Sequence, residues 1–288
     1  MLKILAPSKI NLTLEVLGKR PDGYHEVRTV IQSIGLCDVL ELEAAPDIQV
    51  KTDIAELPTE ANLVYQAARL LKEFSAFPRG ACLKLTKCIP AAAGLGGGSS
   101  DAAATLIGLN RLWQLGLSIE DLLPLAAKLG SDVPFFLYGG AAFAESRGER
   151  VTPLRNSVKA WIVLLDPNLP QLPDKTRRLY TSLRQSNFTK GELTHKMAEA
   201  IDKGYVLDAA LIYNIFESVA FEIFQTIGDY RERFLAAGAD WVHLVGSGPT
   251  LYTLIEDRQK AEVLRQNLTN QGLKCYLAQT LEQRSDAV

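Results

Sequence analysis

Histidine, cysteine and net charge are all in short supply in this chain, and each shortage closes off a class of function. Its three histidines, His25, His195 and His243, lie far apart without metal-ligand spacing, and its four cysteines, Cys37, Cys82, Cys88 and Cys275, contain no CxxC pair. A metal enzyme is therefore disfavoured, and the thiols read as reduced core or strand residues. Lysine plus arginine (31) nearly balance aspartate plus glutamate (33), leaving a net charge of −2. With no long basic run, and no aromatic residues interleaved with a basic stripe, neither a nucleic acid nor a membrane surface is the expected partner. No apolar run approaches the roughly 20 residues that a membrane helix needs. The N-terminus opens directly on a strand pattern instead of a basic and then apolar leader, so a cytoplasmic location is expected. What remains is a globular protein of 288 residues, 47% hydrophobic, with room for one large domain or two ordinary ones and a small molecule as its partner.

What the chain does have is glycine, concentrated in Ile89-Pro90-Ala91-Ala92-Ala93-Gly94-Leu95-Gly96-Gly97-Gly98-Ser99-Ser100-Asp101. Removing Cβ atoms lets a backbone approach a ligand and turn successive N–H groups inward as an anion nest. Ala102, Leu106, Leu109 and Trp113 follow at spacings of four, three and four, which predicts a helix with one buried stripe. Ser99 or Ser100 is placed to cap it, and the unsatisfied first-turn amides and helix dipole would favour a phosphate there. A flexible linker is the plainer reading, but linkers are rarely followed at once by a capped, alanine-rich helix. The run lacks the Gly-Lys-Ser/Thr ending of a Walker A loop, and Glu120 and Asp121 read as a helix start instead of the acidic strand end of a dinucleotide fold.

Before the glycine run, the alternation Ile10, Leu12, Leu14, Val16 predicts a half-buried strand, with Leu2 to Ala6 as its partner. Lys9 and Asn11 project from the polar side of that strand's start; a lone lysine there would ordinarily be an exposed edge residue. Pro21-Asp22-Gly23 is a turn signal that presents Tyr24 and His25 at a loop tip, either as a simple hairpin connection or as groups that stack on and hydrogen-bond a base. Further strands are expected over Arg28 to Ile34, Val39 to Glu43 and Gly80 to Ile89, and a helix over Glu60 to Phe74. Strands thus gather before the glycine run and helices after it, which suggests a mixed sheet with helices on one face. In Gly130-Ser131-Asp132-Val133-Pro134, Asp132 is either a helix cap or, if Lys9 lies close, a carboxylate prepared to take a proton. Composition shifts near Thr152 to Lys159, where a domain boundary is placed between 153 and 154. Beyond it come a strand over Ala160 to Leu165, a helix containing Tyr180, a mostly helical stretch from Gly204 to Ala237, and two strands joined by Gly246-Ser247-Gly248-Pro249. That second glycine turn is a hairpin loop or a contact for the phosphates or the first glycine loop.

Pro90 to Asp101 and Gly246-Ser247-Gly248-Pro249-Thr250, in this order, resemble the phosphate-binding and C-terminal motifs of the galactokinase, homoserine kinase, mevalonate kinase and phosphomevalonate kinase superfamily. Ala6-Pro7-Ser8-Lys9-Ile10-Asn11, Arg20-Pro21-Asp22-Gly23-Tyr24-His25-Glu26 and Gly130-Ser131-Asp132-Val133-Pro134 look like the branch that phosphorylates 4-diphosphocytidyl-2-C-methyl-D-erythritol in the non-mevalonate isoprenoid pathway. The resemblance spans the chain but is specific only in these segments, and residues from about 167 to 235 carry no matching motif. It implies a two-domain α+β kinase, residues 1–153 binding ATP and 154–288 completing the enzyme. The N-terminal domain would hold a mixed sheet with a left-handed βαβ crossover, and the active site would lie in the interdomain cleft.

By the same resemblance Lys9 and Asp132 would be the catalytic pair. Pro90, Ala91, Ala92, Ala93, Gly94, Leu95, Gly96, Gly97, Gly98, Ser99 and Ser100 would cradle the ATP phosphates, with Asn62 near the adenine and Ser100 helping to hold Mg²⁺. Asn11, Tyr24, His25, Tyr180, Gly246 and Ser247 would contact the acceptor, Tyr24 and His25 at its cytidine end and Tyr180 stacking on the base. Asp132 would take the proton of the acceptor's 2-hydroxyl while Lys9 keeps it ionised, the product being the 2-phosphate plus ADP. The competing readings are a kinase of the same superfamily acting on homoserine or mevalonate, which has no use for the Tyr24-His25 loop, and a non-catalytic nucleotide-binding module, which has no need of Lys9 and Asp132 together.

Overall fold

The structure, a computed structural model, describes residues 1–53, 59–170, 172–205 and 208–284. Its first half is a sheet with helices on one side. Strand β1 (Leu2–Lys19) is followed by β2 (His25–Ala45), β3 (Gln49–Thr52), helix α1 (Leu63–Ser75), β4 (Gly80–Thr86), α2 (Gly97–Leu112), α3 (Ile119–Leu129), α4 (Val133–Tyr138), β5 (Ala141–Ser146) and β6 (Arg150–Pro153). The second half comprises β7 (Trp161–Asp166), α5 (Lys175–Ser182), α6 (Glu192–Asp202), β8 (Tyr213–Asn214), α7 (Glu217–Ile223), α8 (Ile227–Ala236), β9 (His243–Leu244), β10 (Leu251–Ile255), α9 (Arg258–Asn270) and β11 (Lys274–Gln279). None of the helices, among the described residues, is long and apolar enough to cross a membrane.

The larger sheet runs β3-β4-β2-β1-β8, with β5 and β6 continuing from β2. It is mixed: β3 and β4 pair in parallel across the connection that carries α1, β1 pairs in parallel with β8, and the other pairs are antiparallel. The smaller sheet runs β11-β7-β10-β9. Helices α1 to α4 cover one face of the large sheet through a core that includes Leu42, Leu71, Leu106 and Phe135. Its other face meets the small sheet, where Ile10, Leu12 and Ile34 share a core with Ile162, Leu164 and Tyr252.

Several local expectations are corrected. Leu2 to Ala6 is not the partner of Ile10 to Val16 but the same strand, and both pair with β2. The Pro7-Ser8 step that resembles a break is a register shift within the ladder, where a residue without an N–H is tolerated. Arg28 to Ile34 and Val39 to Glu43 are likewise one strand, which pairs with β5 over Val27 to Gln32 and with β4 over Val39 to Ala45. Helix α2 begins at Gly97 with Gly96 as its N-cap at φ 73°, so neither Ser99 nor Ser100 caps it. It is buried on nearly all sides from Ser100 to Asn110, a wider contact than the one stripe of Ala102, Leu106, Leu109 and Trp113. The stretch from Gly204 to Ala237 is not purely helical: Tyr213 and Asn214 form β8 and pair with Thr13 and Leu14 of β1. Too short to show a period, β8 nevertheless ties the second half of the chain to the first.

Leu106 is fully buried under the sheet, so Leu106→Ala leaves a cavity where α2 is seated. A loss of about 2–5 kcal/mol is expected, measured as a lower urea midpoint with the far-ultraviolet circular dichroism of the native protein unchanged.

Candidate active site

The loop between β4 and α2 is shaped by contact with the second glycine turn. Gly94 has φ 86°, and a Cβ there would overlap the carbonyl oxygen of Val245. In return Gly246, at φ 51°, lies so close that its Cβ would fall 2.9 Å from Lys9 Nζ and 3.2 Å from Gly94 O. Both positions therefore require glycine, for conformation and for room. The second turn is at once the β9–β10 hairpin loop and the contact for the first. Strand β1 joins the same junction, since the Lys9 amide donates to Leu95 O at 3.0 Å. The first helical bond of α2 runs from the Ser100 amide to Gly96 O, leaving the amides of Gly97, Gly98 and Ser99 ahead of it for an anion.

Two cavities meet across this loop. One, of about 410 Å³, is lined by Asn62, Leu63, Lys87, residues 89–99 and Asp101. The other, of about 380 Å³, is lined among others by Lys9, Asn11, Thr29, Asp132, Arg147, Lys175, Thr176, Tyr180, Gly246 and Ser247. Ala92, Gly94 and Gly96 line both. The glycine loop is thus a ridge between two compartments, each the size of a small-molecule site.

Lys9 and Asp132 face each other in the second compartment. Lys9 Nζ lies 3.8 Å from Asp132 Oδ2, with the lysine side chain 6% exposed and the aspartate 40%. Asp132 occupies the N-cap position of α4 but makes no capping hydrogen bond, so its carboxylate is free of the structural duty that a cap performs. Lys9 Nζ donates to Asn11 Oδ1 at 2.7 Å, and Asn11 Nδ2 donates to Thr29 Oγ1 at 2.8 Å. Burial lowers the Lys9 ammonium from its usual value, an effect that Asp132 opposes.

The family model for the N-terminal domain of GHMP kinases matches residues 62–140, and that for the C-terminal domain of GHMP kinases matches residues 195–274. A 4-diphosphocytidyl-2-C-methyl-D-erythritol kinase of Dehalococcoides mccartyi is 47% identical over 281 residues, 98% of this chain and 99% of that protein. The chain belongs to the 4-diphosphocytidyl-2-C-methyl-D-erythritol kinase family. A relative of the same name in Geobacillus kaustophilus is 44% identical over 88% of each chain. A crystal structure of 4-(cytidine 5'-diphospho)-2C-methyl-D-erythritol kinase superposes with a TM-score of 0.79 at 34% identity, over 97% of this chain and 99% of that one. Homoserine kinase from Cytophaga hutchinsonii has the same fold, with a TM-score of 0.73 at 18% identity over 99% of this chain and 96% of that one.

The remaining residues expected from the family are distributed unevenly about the two compartments. Asn62 lines the first, where its side chain caps α1 by accepting from the Val64 amide at 2.9 Å. Ser99 lines it too, whereas Ser100 lines neither cavity; its hydroxyl is buried without a hydrogen-bond partner. Tyr180 lines the second and stacks on His25 with ring centroids 4.8 Å apart. His25 is set behind Tyr180 instead of on the cavity wall, and its Nε2 is buried without a partner. Burial, and then Lys19, lowers its pKa. Tyr24 is exposed and reaches the site through Arg147, whose guanidinium lies 4.9 Å from the centre of its ring.

Four residues near the site were not expected from the sequence. Arg147 and Lys175 line the second cavity, Arg147 from the turn between β5 and β6 and Lys175 from the stretch without a matching motif. Lys87 and Asp38 meet Asp101 beneath the glycine loop: Lys87 Nζ contacts Asp38 Oδ2 and lies 2.6 Å from Asp101 Oδ2. Asp38 Oδ1 also accepts the amides of Cys88 (2.6 Å) and Ile89 (2.8 Å), fixing the entry to the loop. Burial, with Asp38 adding to it and Lys87 opposing it, raises Asp101 to about 7. Only the Lys-X-X-Pro step into the glycine run hints at this cluster, and its partner Asp38 lies 49 residues away.

Two outcomes follow from the geometry. Gly94→Ala forces the two glycine turns apart, and nucleotide affinity measured by calorimetry is expected to fall by at least about 10-fold, the effect of roughly 1.4 kcal/mol. For Asp101, the folded state retains a proton that the unfolded chain releases near pH 4, so its contribution to stability declines as pH rises from about 4 to about 7. Asp101→Asn removes that decline. Its stability relative to the native protein, from urea midpoints, is expected to improve across this window and to level off above it.

Proposed function

We propose that this chain transfers the γ-phosphoryl group of ATP to the 2-hydroxyl of 4-diphosphocytidyl-2-C-methyl-D-erythritol, giving the 2-phosphate and ADP in the non-mevalonate route to isoprenoid precursors. The observation that carries this reading is the Lys9–Asp132 pair in one compartment, separated by a ridge of glycine amides from the other. Phosphoryl transfer asks the protein chiefly for in-line positioning and charge neutralisation, and two cavities meeting at such a ridge support both.

ATP occupies the cavity lined by Asn62, Lys87 and residues 89–99, its phosphates on the amides at the start of α2. The acceptor occupies the cavity that holds Asp132, which receives the hydroxyl proton as the oxygen attacks phosphorus. Lys9, oriented by Asn11, favours the ionised carboxylate and offsets charge that develops on the transferring group. In the same cavity Tyr180, backed by the stacked ring of His25, forms an aromatic wall for the cytosine. Among the described residues no group of three or more His, Cys, Asp or Glu side chains could hold a metal ion. Mg²⁺ would accompany the nucleotide into the first cavity, where Ser99 is on the wall, and would supply charge neutralisation. Ser100 is not assigned to it, because its hydroxyl faces neither cavity.

Residues 1–153 and 154–288 are taken as the two functional halves, a division that falls between β6 and β7; β8 is the strand that crosses it. A cytoplasmic location goes with an enzyme that draws on ATP and a small polar metabolite.

The test is ADP release from Mg·ATP with the cytidyl substrate, homoserine and mevalonate compared in one assay. Turnover with the cytidyl substrate alone is expected; turnover with another acceptor instead would overturn the reading. Asp132→Asn is expected to lower kcat by about 10²-fold or more. Lys9→Met should act through the same step, so that the double variant is scarcely slower than the worse single one.

A further inference from the structure

Lys175, at the first position of α5, is a half-buried ammonium that, among the described residues, has no carboxylate paired with it. Its Nζ donates to Ala92 O at 2.6 Å and contacts Gly248 O. One carbonyl belongs to the first glycine loop and the other to the second glycine turn, so a single side chain clasps the two. Among the described residues Lys175 forms no ion pair with a carboxylate, whereas Lys9 faces Asp132 and Lys87 sits between Asp38 and Asp101.

An ammonium has three N–H donors. The two carbonyls occupy two of them. They are neutral, and they leave the charge uncompensated in a place where desolvation is expensive. Lys175 lines the second cavity beside Lys9 and Gly94, and Ala92, which it holds, lines both compartments. We propose that Lys175 is a phosphate-binding and positioning residue, its third donor and unpaired charge engaging a phosphate oxygen at the ridge between the compartments while its other donors lock the two glycine turns together. Burial, and then Lys9, push the vacant Lys175 down to about 8, the direction expected of a cation that lacks its counter-charge.

The inference rests on the two-compartment reading above, which offers two sources of phosphate, the nucleotide and the acceptor's diphosphate. The experiment measures Mg·ADP affinity by calorimetry, and the KM and kcat for ATP and for the cytidyl acceptor, in the native protein, Lys175→Met and Lys175→Arg. Lys175→Met is expected to lower Mg·ADP affinity, or kcat/KM for the acceptor, about 10- to 100-fold, the size of a lost charge-assisted hydrogen bond, and Lys175→Arg is expected to restore a substantial part. Loss on the nucleotide side assigns the contact to ATP, and loss confined to the acceptor assigns it to the diphosphate. Unchanged affinity and kinetics in a folded Lys175→Met variant would overturn the proposal.

Should Lys175→Met fail to fold, the native protein carries the test. Trinitrobenzenesulfonate modification of Lys175, followed by peptide mass spectrometry, is expected to slow at least 5-fold with Mg·ADP or with pyrophosphate. No protection by either would overturn the proposal. A native protein that binds Mg·ADP yet turns over no acceptor would instead count against the proposed reaction.

Discussion

The structure depends on holding the Lys9 ammonium in a dry junction. Lys9 is 5% exposed, close against Gly246 and 3.8 Å from the one carboxylate it faces. Desolvating a cation at that distance from its partner is unfavourable unless other groups share the load. Asn11 Oδ1 accepts a hydrogen bond from it, Thr29 orients Asn11, and Tyr252, itself fully buried, donates to the Asn11 carbonyl at 2.9 Å from the opposite sheet. The chain around Lys9 draws on β1, β2 and β10, so the site assembles only when both sheets have packed.

Three lysines surround one glycine loop, and their environments divide the electrostatic work. Lys87 is held between Asp38 and Asp101 and serves the loop's entry. Lys9 is half-matched, facing a carboxylate at a separation too long for a hydrogen bond. Lys175 has carbonyls alone. Unspent positive charge thus increases from the foot of the loop toward the ridge, where the proposed phosphoryl transfer would develop negative charge.

The fold by itself leaves the substrate open. Homoserine kinase and mevalonate kinase superpose with TM-scores of 0.73 and 0.67 at 18% and 14% identity, so one architecture serves acceptors of different chemistry. In this chain one wall of the second cavity is aromatic: Tyr180 lines it and stacks on His25, and Arg147 bridges to Tyr24. A flat aromatic wall suits a base and has no counterpart in the needs of a small aliphatic acceptor.

The glycine loop, the helix behind it and the two glycine turns were legible because their signals are local: a missing Cβ and a helical period act over a few residues. Local chemistry also offered Asp132 as a cap or a base, and could not choose. Tertiary structure leaves its carboxylate without a capping bond to α4 and places it 3.8 Å from a lysine 123 positions earlier, which supports the proposed base. Leu2 to Lys19 looked like two strands because Pro7 imitates a break, and only the ladder with β2 shows the bulge that absorbs it. Lys175, Arg147 and the Lys87–Asp38–Asp101 cluster were invisible for the same reason. A charge in sequence is merely a charge, and what it does depends on which groups, contributed from elsewhere in the chain, share its solvent-free space. By itself the sequence determined the glycine-rich backbone between β4 and α2; only the packing of the two sheets decided which side chains surround it, because desolvation and ion pairing are properties of distance in space.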